Sequence, residues 1–556
     1  MAKSLNKNMP GHLGYLVIIA VGAALLYFKT IFFGLSYFDD NVWIIDYQWF
    51  LKDIRNIFAV FSTRDLISQV FFRPLLSASF ILDAQLGGSS PFIYHLTNLA
   101  VHVLNCVLLF EFFRKMGYEN KLSFGAAAIF LAHPALASAV VWIPGRTDSL
   151  LGTFVILSLI FFIDYLEKRK IKLILWSSLL FFAALLVKET AIVLPIICII
   201  YILLINKDKG IKWPVLLLGW GCVITAWFLM RFIALKAVKP IETVVLLKSF
   251  LENIPAFLSY LGKVVFPFNL SVHPVLEDIS LLPGILVVCG IIFAVIVSRK
   301  KRINFIIFGL LWFILFVSPS LVLSFIAHEY RLYLPISGIL IVFLELDFIK
   351  NLVTSRAGIR IYFVFLIFFS ALTFIYSDNF KNRIFYWENA VKNSPHSALA
   401  HKNLGAMYYL EATENKRIKE ETIMLDKAKA QYMQALDLNP SESMVHNNLA
   451  LIYERLGDEI KAEAEYKKEI SGNPRDANVY FNLGLLCNKQ SKAYSAIEMW
   501  EKTIQLDQNF IMAYKYLAYI NYNIGDFDSA LNYKEELEKR NIFDPELWDA
   551  LKKAGK

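Results

Sequence analysis

The sequence predicts an all-α protein in two parts, a polytopic membrane helical bundle followed by a soluble α-solenoid of helical repeats. Of its 556 residues, 57% are hydrophobic and only 19% are charged, whereas a soluble chain usually carries about 45–50% apolar and ~25% charged residues. The long apolar stretches end near Ile375. Beyond Asp378 the sequence is polar and repeats itself at a spacing of 34 residues.

The apolar part contains about eleven candidate spanning helices, because a helix that crosses the membrane needs roughly 20 mostly apolar residues. We expect these helices near positions 11–34, 93–113, 121–141, 147–166, 171–187, 190–206, 212–232, 281–298, 303–322, 332–349 and 359–377. The stretch 249–274 is interrupted by Asn253, Pro255 and Pro267. Such interruptions are typical of an interfacial or re-entrant segment.

The short loops predict the orientation, since Lys and Arg collect on the cytoplasmic side of a membrane protein. With this set of helices, the basic clusters all fall on one side, and the N-terminus is expected in the cytoplasm. We expect a membrane domain over 1–378, with a first external loop over 35–92, and a non-cytoplasmic repeat domain over 379–556. The net charge of +9 reflects these loop clusters. It does not indicate a nucleic-acid partner.

The polar part repeats with the period of tetratricopeptide units. The pairs Asn439-Pro440 and Asn473-Pro474 are 34 residues apart. Small residues recur at the same interval, at Ala428, Ala462, Ala496 and Ala530. We expect about four helix pairs and a capping helix near Pro545. Such stacks hold extended segments of partner proteins, although a plain scaffold or an oligomer contact is the alternative.

Two adjacent carboxylates, Asp39 and Asp40, follow the first predicted helix. Ionised groups beside lipid are costly unless they are solvated, paired or functional. Desolvation also makes a carboxylate more basic, which suits a general base. The alternative is a solvated helix end.

Ionisable residues also gather in the other predicted external loops. These residues are His133, Arg146, Asp148, Lys188, Glu189, His328, Glu329 and Arg331. Arg and Lys can bind a phosphate there, while interfacial anchoring and mutual salt bridges are the alternative. His95, Asn98 and His102 share one helical face, which favours packing against a neighbouring helix over binding of a polar head group. The sequence has no P-loop, GxGxxG, HExxH or paired CxxC motif, which argues against nucleotide chemistry and protein-bound zinc.

Several of these segments together resemble a known family. The segments are YFDD, FRPLLSASFILDAQLGGSSPFIYHLTNLAVHVLN, HPALASAVVWIPGRTDSL, KETAIVLP and EYRLYLP, followed by the repeats. In this order they resemble the TMTC family of transmembrane O-mannosyltransferases and its bacterial relatives, which have the GT-C fold. The resemblance implies an enzyme that moves a sugar from a polyprenyl-phosphate donor to a protein hydroxyl. We expect a single displacement, which inverts the anomeric carbon. No cofactor is expected to be required; the carboxylates could bind a divalent metal, although no ligand spacing in the sequence demands one.

The resemblance also implies roles for particular residues. Asp39 is expected to be the base, with Asp40 assisting. Lys188 and Arg331 are expected to contact the donor phosphate, with Arg146 as a third contact. Possible supporting residues are Glu189, His328, His133, Asp148, Arg73 and His95.

The expected location is a bacterial inner membrane, with the repeat domain in the periplasm or otherwise outside the cytoplasm. The expected partners are the lipid-linked sugar donor, a protein acceptor at the repeats and membrane lipids. Three other interpretations stay open. The acceptor could be a lipid-linked or envelope glycan, the chain could be a non-enzymatic membrane-anchored repeat scaffold, or it could be a transporter.

Overall fold

The fold is known from a computed structural model that describes residues 11–68, 70–206, 210–236, 243–322, 328–414 and 418–553. These residues form helices and loops without a β-strand, so the predicted all-α class is confirmed. The chain divides into two compact units, Met1–Pro395 and His396–Lys556. The boundary predicted after residue 378 precedes a helix at Arg383–Asn393, which falls within the first unit.

The helices of the first unit follow the apolar stretches. They are α1 (His12–Tyr27), α2 (Gln48–Leu51), α3 (Asn56–Ala59), α4 (Pro74–Gly87), α5 (Pro91–Lys115), α6 (Asn120–Ala132), α7 (Ala137–Val141), α8 (Arg146–Lys168), α9 (Ile171–Val187), α10 (Leu194–Leu204), α11 (Trp213–Ala234), α12 (Thr243–Glu252), α13 (Ala256–Val265), α14 (Leu282–Val297), α15 (Ile303–Val317), α16 (Ile336–Leu344), α17 (Asp347–Thr354), α18 (Arg356–Ser377) and α19 (Arg383–Asn393).

Within the described residues, six helical segments are long and apolar enough to cross a membrane. They are His12–Phe32, Pro91–Lys115, Ile143–Lys168, Trp213–Ala234, Ile303–Leu321 and Arg356–Phe380. Two further pairs, α6 with the segment Pro134–Val141 and α12 with α13, are bent by 58° and 43°. Three shorter apolar helices cover Ile171–Val187, Glu189–Leu204 and Leu282–Val297. The expected span at 332–349 differs most, because its helix α16 has only 9 residues.

A polar network around Tyr333 joins three parts of the membrane unit. The Tyr333 hydroxyl lies 2.8 Å from His102 Nδ1 and accepts a hydrogen bond from Asn105 Nδ2 at 3.1 Å. Thr153 on α8 donates to Asn105 Oδ1 at 2.8 Å. The network therefore connects α5, α8 and the segment that precedes α16. His102 has the packing role that its helical face favours.

Arg146, at the start of α8, is a buried residue that connects α8 to α4 and α5. Its guanidinium pairs with Asp83 of α4 at 2.6 Å, and its Nε donates to Asn98 of α5 at 2.6 Å. The remaining donors reach the Tyr94 carbonyl at 2.8 Å and the Ser79 hydroxyl at 3.2 Å. The side chain is 0% exposed. The prediction that Arg146 contacts a donor phosphate does not agree with this geometry, because its nitrogens already serve the protein.

The second unit is a stack of paired helices, as the 34-residue period predicts. Its helices are α20 (Ala398–Glu414), α21 (Ile418–Leu438), α22 (Val445–Arg455), α23 (Glu459–Gly472), α24 (Ala477–Lys489), α25 (Ala493–Leu506), α26 (Ile511–Ile524), α27 (Phe527–Lys539) and α28 (Pro545–Lys553). Asp458, Asp476 and Asp526 each cap the N-terminus of a helix by accepting a backbone N–H, which satisfies a donor that the helix leaves unpaired.

The packing of α24 against α25 depends on a glycine. The Trp500 ring is fully buried, and a Cβ at Gly484 would lie 2.4 Å from its Nε1 atom. Trp500 Nε1 donates to the Phe481 carbonyl at 3.1 Å. The small residue at this repeat position therefore admits the indole.

We predict that Gly484→Ala destabilises the second unit by about 1–3 kcal/mol, the usual range for inserting a group into a packed core. Gly472→Ala is the matched control in a neighbouring helix, because a Cβ there meets nothing within 4 Å. Limited proteolysis of the intact chain against temperature measures the effect. A cleavage midpoint in Gly484→Ala equal to that of the control would contradict this packing.

We also predict that Arg146→Leu lowers the melting temperature of the purified chain strongly. Removing one partner of a buried ion pair costs about 3–5 kcal/mol, because the other charge stays uncompensated. The double variant Arg146→Leu with Asp83→Leu is expected to recover much of that loss. If the double variant melts below both single variants, the pair is not the interaction that Arg146 supplies.

Candidate functional site

The membrane unit contains a cavity of about 970 Å³ at the end of several helices. Its walls come from the segment after α1, the loop before α4, the start of α8, the α9–α10 connection, α11 and the segment before α16. The charged and polar residues of the lining include Asp39, Asp65, Arg73, Asp148, Lys188, Glu189, Arg231, Tyr330 and Arg331. The fold thus brings together groups that lie far apart in the sequence.

The cavity lining also contains apolar residues. They include Trp227, Phe228 and Phe232 of α11, Leu235 directly after this helix and Leu246 of α12. Phe228 and Phe232 are 59% and 64% exposed, so the apolar lining continues onto the outer surface of a spanning helix. A cavity lined by both charged and apolar side chains suits an amphiphilic ligand.

Lys188 lies at the junction of α9 and α10 and pairs with Asp148 near the start of α8. Its Nζ atom is 2.7 Å from both carboxylate oxygens. Burial lowers the pKa of Lys188, and the neighbouring Arg73 and Arg331 add to the shift, while Asp148 opposes it. The pair fixes a cation in the wall of the cavity.

Glu189 bridges two arginines on the same side of the cavity. Arg73, just before α4, donates to Glu189 Oε2 at 3.1 Å, and Arg231 of α11 lies 3.3 Å from Oε1. The Arg73 guanidinium also stacks on Phe71, 3.9 Å from the ring centre. This bridge holds the loop before α4 against α11.

Arg331 lies in the short helical segment Glu329–Leu332. It donates to the Ser320 carbonyl at 3.3 Å. Its neighbour Glu329 pairs with Lys263 of α13, and the next residues lead to Tyr333 and its network. Arg331 is therefore held from both sides at the cavity wall.

Asp39 differs from the other acids of the cavity. In the described part of the chain, no side chain forms a hydrogen bond or an ion pair with its carboxylate. Burial and, to a smaller extent, the negative charge of Asp65 raise the pKa of Asp39 to about 6. The backbone of Asp39 has a φ of 66°, a left-handed conformation that is uncommon outside glycine and often marks functional sites. Asp39 is therefore an open, basic carboxylate.

Asp40 has a different environment, although it is the next residue. Its side chain is 2% exposed and accepts hydrogen bonds from the Ser36 amide at 2.7 Å, the Ser36 hydroxyl at 2.8 Å and the Asn41 amide at 2.9 Å. Burial raises its pKa to about 6 against these bonds. Asp40 thus shapes the turn that presents Asp39, and the expectation that it assists as a base does not agree with this geometry.

Three predicted histidines lie outside the cavity lining. His133 Nε2 contacts the Val264 carbonyl at 2.8 Å, and buried His95 is 3.4 Å from the Gly34 carbonyl. His328 packs on the ring of Tyr330, with ring centres 4.9 Å apart. These residues join segments around the site. Their supporting role in the reaction stays a prediction.

Sequence reasoning did not single out Asp65, Arg231 or Tyr330. Asp65 lies in a long polar loop. Arg231 lies near the end of an apolar stretch, and its partner Glu189 is 42 residues away in the sequence. An arginine inside a spanning helix was the one available signal for Arg231. In the described residues, no group of three or more His, Cys, Asp or Glu side chains is placed to hold a metal ion.

Comparisons with known proteins match both units. Residues 74–236 match the family model described as dolichyl-phosphate-mannose-protein mannosyltransferase, and residues 431–464 match a tetratricopeptide repeat model. Protein O-mannosyl-transferase Tmtc1 of Drosophila melanogaster is 32% identical over 145 residues, which are 26% of this chain and 17% of that protein. Protein O-mannosyl-transferase TMTC2 of Mus musculus is 34% identical over 98 residues, 18% of this chain and 12% of that protein.

The chain thus spans under a fifth of the length of these relatives. A crystal structure of MamA is also similar to part of this chain. The match covers 29% of this chain and 87% of the MamA chain, with 22% sequence identity and a TM-score of 0.25. The mannosyltransferase match begins at α4, directly after Arg73, and it includes Arg146, Lys188 and Arg231. The repeat match lies in the second unit. Residues 74–236 are thus similar to mannosyltransferases and residues 431–464 to tetratricopeptide repeats, and part of the chain is similar to TMTC proteins.

Proposed function

We propose that the chain is a membrane glycosyltransferase. It moves a sugar, mannose or a similar hexose, from a polyprenyl-phosphate donor to Ser or Thr hydroxyls of a protein held by the repeats. The observation that carries this proposal is the open carboxylate of Asp39 in a cavity whose lining also holds cations. An acceptor hydroxyl needs a base, and a departing phosphate needs positive charge.

The donor fits the charged and the apolar residues of the cavity lining. Its isoprenoid tail lies along Phe228 and Phe232 of α11, and its phosphate lies near Lys188 and Arg331. Preplaced cations favour the charge that develops on a leaving phosphate, because they need no reorganisation during the reaction. The similarity of residues 74–236 to dolichyl-phosphate-mannose-protein mannosyltransferases supports this class of donor.

The reaction is a single displacement. The acceptor oxygen attacks the anomeric carbon as the bond from that carbon to the phosphate oxygen breaks. The hydroxyl proton passes to Asp39, and the electron pair of the broken bond leaves with the polyprenyl phosphate. Attack from the face opposite the leaving group inverts the anomeric carbon.

The location follows from the same proposal. We place the cavity on the non-cytoplasmic side of a bacterial inner membrane, with the N-terminus in the cytoplasm and the repeats outside it. Lys and Arg clusters in the intervening loops support this orientation. The repeats raise the local concentration of the acceptor by tethering it to the same molecule.

We predict that Asp39→Asn lowers the transfer rate by about 10²–10⁴-fold, the usual contribution of a general base, without lowering the melting temperature. Asparagine keeps the size of the side chain and tolerates the left-handed backbone. The assay measures radiolabelled mannose moving from polyprenyl-phosphate mannose to protein in a membrane extract. If the label enters only a lipid-linked glycan, the acceptor is that glycan and the proposed protein acceptor is wrong.

Asp40→Asn is the matched comparison for this variant. An amide nitrogen there faces the donors of Ser36 and Asn41, so we expect a lower melting temperature. Full transfer by Asp39→Asn would remove the base from the proposed mechanism.

The pH dependence gives an independent prediction. Because Asp39 must be ionised to accept a proton and its pKa is raised to about 6, kcat/KM is expected to rise with pH through a midpoint near 6. The activity is lost as the pH falls, since the protonated carboxyl is no base. The residual activity of Asp39→Asn should lack this rise. A profile with the same midpoint in that variant would assign the titration to another group.

A further inference from the structure

Asp65 is a second carboxylate of the cavity with unused hydrogen-bonding capacity. Its side chain is 6% exposed and belongs to the cavity lining. One oxygen, Oδ1, accepts hydrogen bonds from the amides of Ile67 at 3.0 Å and Ser68 at 2.9 Å. Among the described residues, none donates a hydrogen bond to the other oxygen, Oδ2. Because Asp65 lines the cavity, a ligand in the cavity can supply the donor that Oδ2 lacks.

The other acids of the cavity are already engaged. Asp148 uses both oxygens on Lys188, and Glu189 uses both on Arg73 and Arg231. Asp39 is open but serves as the base in the proposed reaction. Asp65 is thus the remaining acid with a free acceptor, and it is near enough for its charge to raise the pKa of Asp39.

A sugar supplies the group that Asp65 lacks. Each hydroxyl of a hexose is a hydrogen-bond donor, and a bond from a hydroxyl to an ionised carboxylate is among the stronger hydrogen bonds. The polyprenyl phosphate alone has only acceptor oxygens in its ionised head group. A carboxylate beside the site therefore discriminates between the loaded donor and the spent lipid.

We propose that Asp65 Oδ2 accepts a hydrogen bond from a hydroxyl of the transferred sugar and is a sugar-recognition residue of this site. The inference rests on the proposed function, since it requires that a lipid-linked sugar enters the cavity. The backbone amides of Ile67 and Ser68 hold Oδ1 and so orient Oδ2. Because the spent lipid gains nothing from Asp65, the same residue favours exchange of product for fresh donor.

The test uses Asp65→Asn, which separates recognition from loop structure. Asparagine keeps an oxygen for the amides of Ile67 and Ser68, because Asn and Asp cap such turns equally, and it replaces Oδ2 by an amide that donates. The full-length chain carries Asp39→Asn throughout, so that no turnover consumes the ligand. The probes are polyprenyl phosphate and polyprenyl-phosphate mannose, titrated into detergent-solubilised protein.

We expect the added Asp65→Asn substitution to weaken binding of polyprenyl-phosphate mannose about tenfold or more, as for loss of a hydrogen bond to a charged group. Binding of polyprenyl phosphate should stay unchanged or become tighter. Asp46→Asn is the matched control, because Asp46 is an exposed acid of the same stretch between α1 and α4. Equal melting temperatures of the two added variants would show that the loop is intact.

Two results would overturn the assignment while the proposed function stands. One is equal affinity of the Asp65→Asn and control proteins for the mannosyl lipid. The other is an equal loss for both lipids, which would show a general effect on the site and no contact to the sugar. Failure of the Asp39→Asn protein to bind either lipid would instead overturn the proposed function and this inference with it.

Discussion

The cavity depends on one constraint, the cost of burying charge. An ion removed from water needs a partner of opposite charge or several hydrogen bonds. The structure meets this need by pairing Lys188 with Asp148 and by bridging Arg73 and Arg231 through Glu189. These pairs also tie the loop before α4, the start of α8 and the end of α11 to one another. The same interactions therefore compensate much of the buried charge and connect the segments that line the cavity.

The reactive groups of the cavity are held in position by hydrogen bonds of the residues next to them in the sequence. Arg331 is fixed because its segment continues into the buried network of Tyr333, which reaches α5 and α8. Asp39 is fixed because Asp40 ties the turn to Ser36 and Asn41. Groups that look alike in the sequence, such as two adjacent aspartates, thus divide into one that faces the cavity and one that holds the backbone.

The sequence predicted the class of fold because helix length, apolar content and a fixed repeat period are local properties. It also named Asp39, Lys188 and Arg331, which the structure places on one cavity. It could not identify Asp83 as the partner of Arg146, because the two residues are 63 positions apart and α5, α6 and α7 lie between them. Arg231 was missed for the same reason, since its partner Glu189 lies in the distant connection between α9 and α10. The helix expected over 332–349 is shorter in the structure, where α16 has 9 residues and nearly all of them are buried.

The left-handed backbone at Asp39 restricts the amino acids that this position can carry. Glycine, asparagine and aspartate adopt such a conformation at little cost, whereas longer or branched side chains do so rarely. Glutamate would supply the acid but fits the backbone poorly, and glycine or asparagine would fit the backbone but supply no acid. Position 39 therefore has two independent requirements, a side chain that tolerates the left-handed backbone and an acid. Aspartate is the residue that satisfies both.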